Sequence, residues 1–384
     1  WATVSGGGGG GASDLDDLSD VKKGGTDFTD SMMIGATSTG TLSSASDNLF
    51  IGTSGAGDAL TSGTYNIGIG NFSLSSVQDG ASNIGVGYSA GHSNNESYGI
   101  FIGHQAAQYV TGASPTIIGY HAARGVSGQT TAAYTTAIGF EAGYGVTTAQ
   151  FGVHLGHRAG KSVTTGGYSV NLGAFAGQDT STGDSNTNIG YEAGRHGNNI
   201  GNVYIGRLSG HGVSSVTGAN YNVGVGYNTL TAITSGEGNV CIGKDAGDSI
   251  TSADNNTIIG TGMDPDSATA GGEIVIGTDT RRIHVDNTGA VQFNSAFRFP
   301  AADGSANQVL ETDGSGTLSW ATVSGGGGSS TLSGLTDVTI STPQNGQVLK
   351  YDGSGWVNGT DADSGGGGGG ITTGKAIAMA MVFG

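Results

Sequence analysis

The chain has 384 residues, of which 77 are glycine and one is cysteine, and it carries a net charge of −17. A single cysteine excludes an intrachain disulfide framework, and the lack of a strict three-residue glycine period, with only four prolines, excludes collagen. The acidic balance argues against nucleic acid, which needs a basic face, and no apolar run nears the roughly 20 residues of a membrane span.

In chain order, residues 1–30 read as a glycine-rich linker and connector, "WATVSGGGGGG" leading into "SDLDDLSDVKKGG". The opening phrase recurs from Trp320, after a hairpin-like stretch. Trp1 therefore reads as the return strand of a hairpin whose first strand lies upstream, and the chain as a piece of something longer.

Residues 31–280 are a repeat. The pair Ile-Gly, Leu-Gly or Val-Gly recurs from Gly35 to Gly277 in fifteen copies, at intervals of 16 to 20 residues. Before the glycine the order is apolar, variable, apolar, as in Ile100-Phe101-Ile102 and Val153-His154-Leu155. This alternation predicts a short strand with one buried face, the variable position turned outward. Three residues after the glycine a small residue recurs, as at Ala90, Ala106, Ala142 and Ala176, followed by turn-forming residues. A unit of about 17 residues with two strand-like pieces is one rung of a β-solenoid, too short for a helix pair or a propeller blade. One rung cannot bury its own face, so rungs stack. The expected fold is all-β: a parallel β-solenoid or β-roll of about 15 rungs, flanked by small β-hairpin connectors and glycine-rich linkers. The alanine and glycine columns predict a close neighbour, read as other chains of a homotrimer.

The position after the glycine holds Tyr88, His104, Tyr120, His157, Tyr191 and Tyr227, together with Phe140, Arg207 and Lys244. Stacking would align these as a ladder. It is either ordinary packing with polar ends in water or a column binding an anion or a sugar.

Residues 281–306 alternate and predict a β cap or neck that covers the solenoid's open edge. Residues 307–328 and 329–364 each carry "DGSG" between apolar runs, a hairpin signal, and the first ends in a glycine linker. Residues 365–384 are a glycine run and an apolar terminal segment.

The stretch "NTGAVQFNSAFRFPAADGSANQVLETDGSGTLSWATV" resembles connector segments of bacteriophage tail-fibre and related virion fibre proteins, especially those of marine phages infecting cyanobacteria. "TTGKAIAMAMVFG" resembles a terminal segment of the same fibres, and the repeats resemble the head repeats of trimeric autotransporter adhesins, a trimeric left-handed parallel β-roll. The resemblance implies a homotrimeric, extracellular virion fibre. Its partners would be other fibre or baseplate proteins and a host cell-surface glycan. A trimeric bacterial surface adhesin is the alternative.

Chemical signals are sparse. "GIGNFS" lacks the dinucleotide-binding spacing, and the repeat lacks the aspartate of calcium-binding nonapeptides. Asp264 and Asp266, like Asp14, Asp16 and Asp17, read as solvated turns, with Ca²⁺ or another structural ion as the alternative. His154 and His157 would form metal-binding rings in a trimer, or simply pack. Cys241 reads as a bystander thiol. A polysaccharide-cleaving fibre would need paired carboxylates in a groove; the short intervals leave little room for one, and the chain is read as non-enzymatic, without a cofactor. An ice-binding solenoid would need a regular threonine ladder, and the threonines look irregular.

Overall fold

The computed structural model describes residues 21–23, 26–35, 40–213, 218–278, 281–322, 337–344 and 347–360. The expected strand at Trp1, the carboxylates Asp14, Asp16 and Asp17, the three glycine runs and the apolar terminal segment lie outside these residues. The chain divides into two compact units. The first runs to Ala302 and includes 312–318; the second comprises 303–311 and the residues from 319 onward.

The first unit is a parallel β-solenoid without a helix among its described residues. Each repeat contributes one short strand, from Met32–Ile34 to Ile274–Thr278, and fifteen such strands stack in parallel, in register. The register aligns equivalent positions, for example Ala137, His154, Asn171, Asn188 and Tyr204. β-Branched Ile, Val and Thr at both ends of most strands favour the extended backbone. The glycine that follows ends the strand. Gly70 has φ +121°, and a Cβ there would lie 2.7 Å from the Gly87 carbonyl oxygen of the next coil. Neither the dihedral nor the space admits a side chain.

The second strand-like piece expected in each repeat is β only in places: Phe28–Thr29 pairs in parallel with Ala45–Ser46, and single bridges join Ser46 to Thr64 and Val110 to Thr130. After the glycine the backbone alternates in handedness: Gly139, Glu141 and Gly143 have φ +138°, +51° and +59°. Left-handed geometry costs a non-glycine residue about 1–2 kcal/mol. Hydrogen bonds to both neighbouring coils offset it. Glu141 N–H donates to Tyr120 O at 2.9 Å, and Gly143 N–H donates the other way, to Ala159 O at 2.9 Å.

The variable middle position of each strand points inward, the reverse of the expectation. Phe50, Phe101, Ile117, His154, Asn171, Tyr204 and Cys241 are all buried. Its variability comes from local fit. The lumen is narrow, and a large side chain sits where neighbouring coils have glycine: a Cβ on Gly68 would lie 2.5 Å from the Phe50 ring. Complementary sizes keep the packing dense. The alanine column, Ala90 through Ala246, is buried in the same lumen. Its close neighbour is the chain itself, so it does not form a contact between chains, and the glycine column likewise packs against the next coil.

A further column runs just before the strands. Asn186, Asn202, Asn222, Asn239 and Asn256 are buried, and each side-chain carbonyl accepts the backbone N–H of its counterpart in the next coil. A buried N–H without a partner costs about 1–3 kcal/mol, so the column satisfies one donor per coil.

Both ends of the parallel ladder are covered by antiparallel strands. Val21–Lys23 pairs with Met32–Ile34. After the last parallel strand come Arg281–Val285, Val291–Phe293 and Phe297–Arg298. Downstream, Gln308–Thr312 and Leu318–Thr322 form a two-stranded sheet, and Gln347–Tyr351 pairs antiparallel with Trp356–Thr360. In both "DGSG" turns the aspartate caps the backbone: Asp313 accepts from Ser315 and Thr317, Asp352 from Ser354 and Gly355.

Candidate functional surfaces

With the middle residue inside, the two flanking residues of every strand face outward. Pairs such as Ile67 and Ile69, Ile100 and Ile102, Val203 and Ile205, Val240 and Ile242, and Ile274 and Ile276 form two parallel columns. Several of the isoleucines are 36–39% exposed. Ile276 pairs with Ile283 and Ile283 with Phe293, so the apolar strip continues onto the antiparallel strands. None of the outward residues on the parallel strands is charged. Fourteen steps at about 4.8 Å make the strip about 70 Å long. The strip is uncharged and apolar but for Thr116, Thr136, Thr187 and Thr257, and exposed apolar patches of this extent are typical of interaction surfaces.

The predicted ladder after the glycine is present in part. Tyr88, His104, Tyr120, Phe140 and His157 stack in order, with ring centroids 5.2–5.3 Å apart and interplanar angles of 8–19°. Phe175 breaks the sequence by meeting His157 and Tyr191 edge-on. Arg207 then lies between Tyr191 and Tyr227, 5.5 and 5.4 Å from their centroids. Ring faces are thus occupied by neighbours, and a sugar cannot stack on them along the run. What the ladder offers is edges: phenol hydroxyls and imidazole nitrogens.

A second aromatic column escaped the sequence reading. Tyr65, Tyr98, Tyr134, Phe151, Tyr168 and Tyr221 occupy one repeat position, two residues before the strand, all with positive φ. All are exposed, Tyr98 by 68%. Tyr134, Phe151 and Tyr168 stack at 5.1 and 5.2 Å. The available signal was an aromatic residue recurring at a fixed offset from the repeat glycine.

The suggested metal ligands do not assemble as expected. His154 is buried in the lumen, where its Nδ1 accepts a hydrogen bond from Asn171 Nδ2 at 3.0 Å. Burial pushes its imidazole down to about 4. His157 is on the outer aromatic ladder, so the two do not share a site. Asp264 accepts from Ser249 N–H, and burial together with the Asp264 charge raises the Asp248 carboxyl. Asp266 lies instead beside Glu273 and His284. Burial pushes the Cys241 thiol up, which makes it a poor nucleophile.

Glu141 and Glu192, at equivalent places in separate repeats, are both engaged in ion pairs. Glu141 meets Arg158 at 2.9 Å and Lys161 at 2.8 Å. Burial alone would raise its carboxyl, but the hydrogen bonds and charge of Lys161 and Arg158 hold it below the usual range. Glu192 meets Arg195 at 3.0 Å and His211 at 3.3 Å. The threonines do align: Thr147 and Thr164 each donate to the carbonyl of the next coil, as do Thr234 and Thr251. Their hydroxyl protons are spent within the chain.

Comparison with protein-family models, with curated protein sequences and with solved structures found no match to this chain.

Proposed function

We propose that this chain is the rod of a homotrimeric virion fibre, a non-enzymatic structural element exposed outside the cell that reaches and contacts a host surface. The observation that carries the reading is the uncharged double column of outward, mostly Ile and Val residues, interrupted in one column by Thr116, Thr136, Thr187 and Thr257. A strip about 70 Å long and about 10 Å wide gives roughly 700 Å² from each chain, about 350 Å² towards each of two neighbours, so the three contacts together, rather than any one of them, would hold the assembly. Its occupant is further copies of the same chain, because a regular 4.8 Å ladder matches only another of the same period. Two columns suit a three-fold arrangement, in which each chain meets one neighbour with each column. The connector stretch that resembles phage fibres supports the virion assignment.

The aromatic edges supply the contact surface. Exposed phenol hydroxyls at regular spacing fit a polysaccharide through hydrogen bonds rather than ring stacking. Glycan-array binding of the purified rod tests this. Tyr88→Phe with Tyr120→Phe keeps the stack and removes the hydroxyls, and binding should fall at least tenfold. Unchanged binding would refute a role for this ladder. No binding by the parent would leave the rod as a spacer.

A further inference from the structure

The asparagine column ends in a change of chemistry. Glu273 takes the place that asparagine holds in the five preceding coils. Its N–H still donates to Asn256 Oδ1 at 2.9 Å. Its carboxylate leaves the column: Oε2 accepts from Asp266 N–H at 2.9 Å and meets Nε2 of His284, on the antiparallel strand Arg281–Val285, at 2.9 Å. Both side chains are nearly buried, with 4% and 3% exposure. A buried anion where neighbouring coils carry a neutral amide is costly unless a cation compensates it.

The other side of the ring offers a place for a cation. A carboxylate can only accept, so Nε2 carries a proton, and a metal ion would take Nδ1 as its ligand atom in place of a second proton. Nδ1 faces Asp266 Oδ2 at 3.7 Å. The gap is too long for a direct hydrogen bond. Two metal–ligand bonds of about 2.0–2.1 Å span up to about 4 Å, so one ion fits between them. Glu273 then has the place of the outer carboxylate that orients a metal-binding histidine. Asp266 is 62% exposed, which gives an ion and its remaining water ligands access from solvent. Arg282 Nη2, 4.0 Å from Asp266 Oδ1, is the one cationic side chain paired with this carboxylate among the described residues.

We propose that His284 Nδ1 and Asp266 bind a first-row divalent cation of the Zn²⁺ type, with Glu273 holding the imidazole from behind. Imidazole and carboxylate donors suit such ions. The ion would tie the loop before the last coil to the first antiparallel strand, closing the end of the ladder. This site is independent of the fibre reading.

The test is calorimetric titration of ZnCl₂ into the chelator-stripped full chain at pH 7.5, alongside Asp266→Asn, His284→Gln and Glu273→Gln. Asp266 is exposed, so its variant keeps the fold, which circular dichroism verifies. The expected result is a saturable site that Asp266→Asn and His284→Gln weaken at least tenfold and Glu273→Gln by about 10–100-fold. Zn²⁺ should also raise the melting temperature of the parent but not of Asp266→Asn. Equal Zn²⁺ affinity in the parent and Asp266→Asn, or no saturable binding by the parent, would overturn the proposal.

Discussion

At Gly190 the backbone has φ +135°, and a Cβ there would lie 2.5 Å from the Gly206 carbonyl oxygen. Gly190→Ala therefore combines dihedral strain with a backbone clash, and should cost more than about 3 kcal/mol in urea unfolding. A loss under 1 kcal/mol would show that the coils are not stacked this tightly. His154 makes a different demand. It is neutral in the folded lumen, with its pKa down at about 4, whereas in the unfolded chain it takes up a proton near 6.5. The unfolded state then binds more protons as pH falls. The stability held above about pH 6.5 is lost between there and about pH 4, by about 3 kcal/mol. His154→Asn, which matches Asn171 and Asn188 in the same column, should remove this part of the acid sensitivity. Urea unfolding at pH 7 and pH 4.5 measures it.

At the scale of the coil, the asparagine column links each repeat to the next by a side-chain-to-backbone bond. Asn222 accepts from Asn239 N–H at 2.9 Å and donates to Gly236 O at 2.8 Å. Asn222→Ala leaves two buried backbone groups unpaired and should cost about 1–3 kcal/mol. Hydrogen exchange at the Asn239 amide should quicken; unchanged protection would contradict the assignment. The column was readable in the sequence, since an asparagine stands four residues before Gly70, Gly87, Gly190, Gly206, Gly226, Gly243 and Gly260. The strands themselves were legible from the glycine period. Their facing was not. Variability at the middle position suggested solvent, whereas it reflects a narrow lumen in which Phe50 must pair with Gly68 and Phe101 with Gly91. The Asp266, Glu273 and His284 group was hidden for another reason. Its members lie on a loop, before a strand and on the next strand, and only the antiparallel return brings them together.

For the whole molecule, inverting the strand face moves the argument for assembly. The alanine column belongs to the chain's own lumen, and the apolar surface left exposed is the outward isoleucine strip, to which the proposed trimer contact moves. Burying that strip stabilises an assembly by roughly 25 cal/mol per Å² of apolar surface, and a glutamate introduced there would face a desolvation cost instead. Ile205→Glu with Ile242→Glu should leave the monomer folded, because both positions are already more than a third exposed, yet separate the chains. The most direct measurement is the molar mass of the parent and this double variant by light scattering at the same concentration. The account predicts three times the 37.8 kDa chain mass for the parent and a single chain for the variant. A monomeric parent, or a variant that stays trimeric, would contradict it.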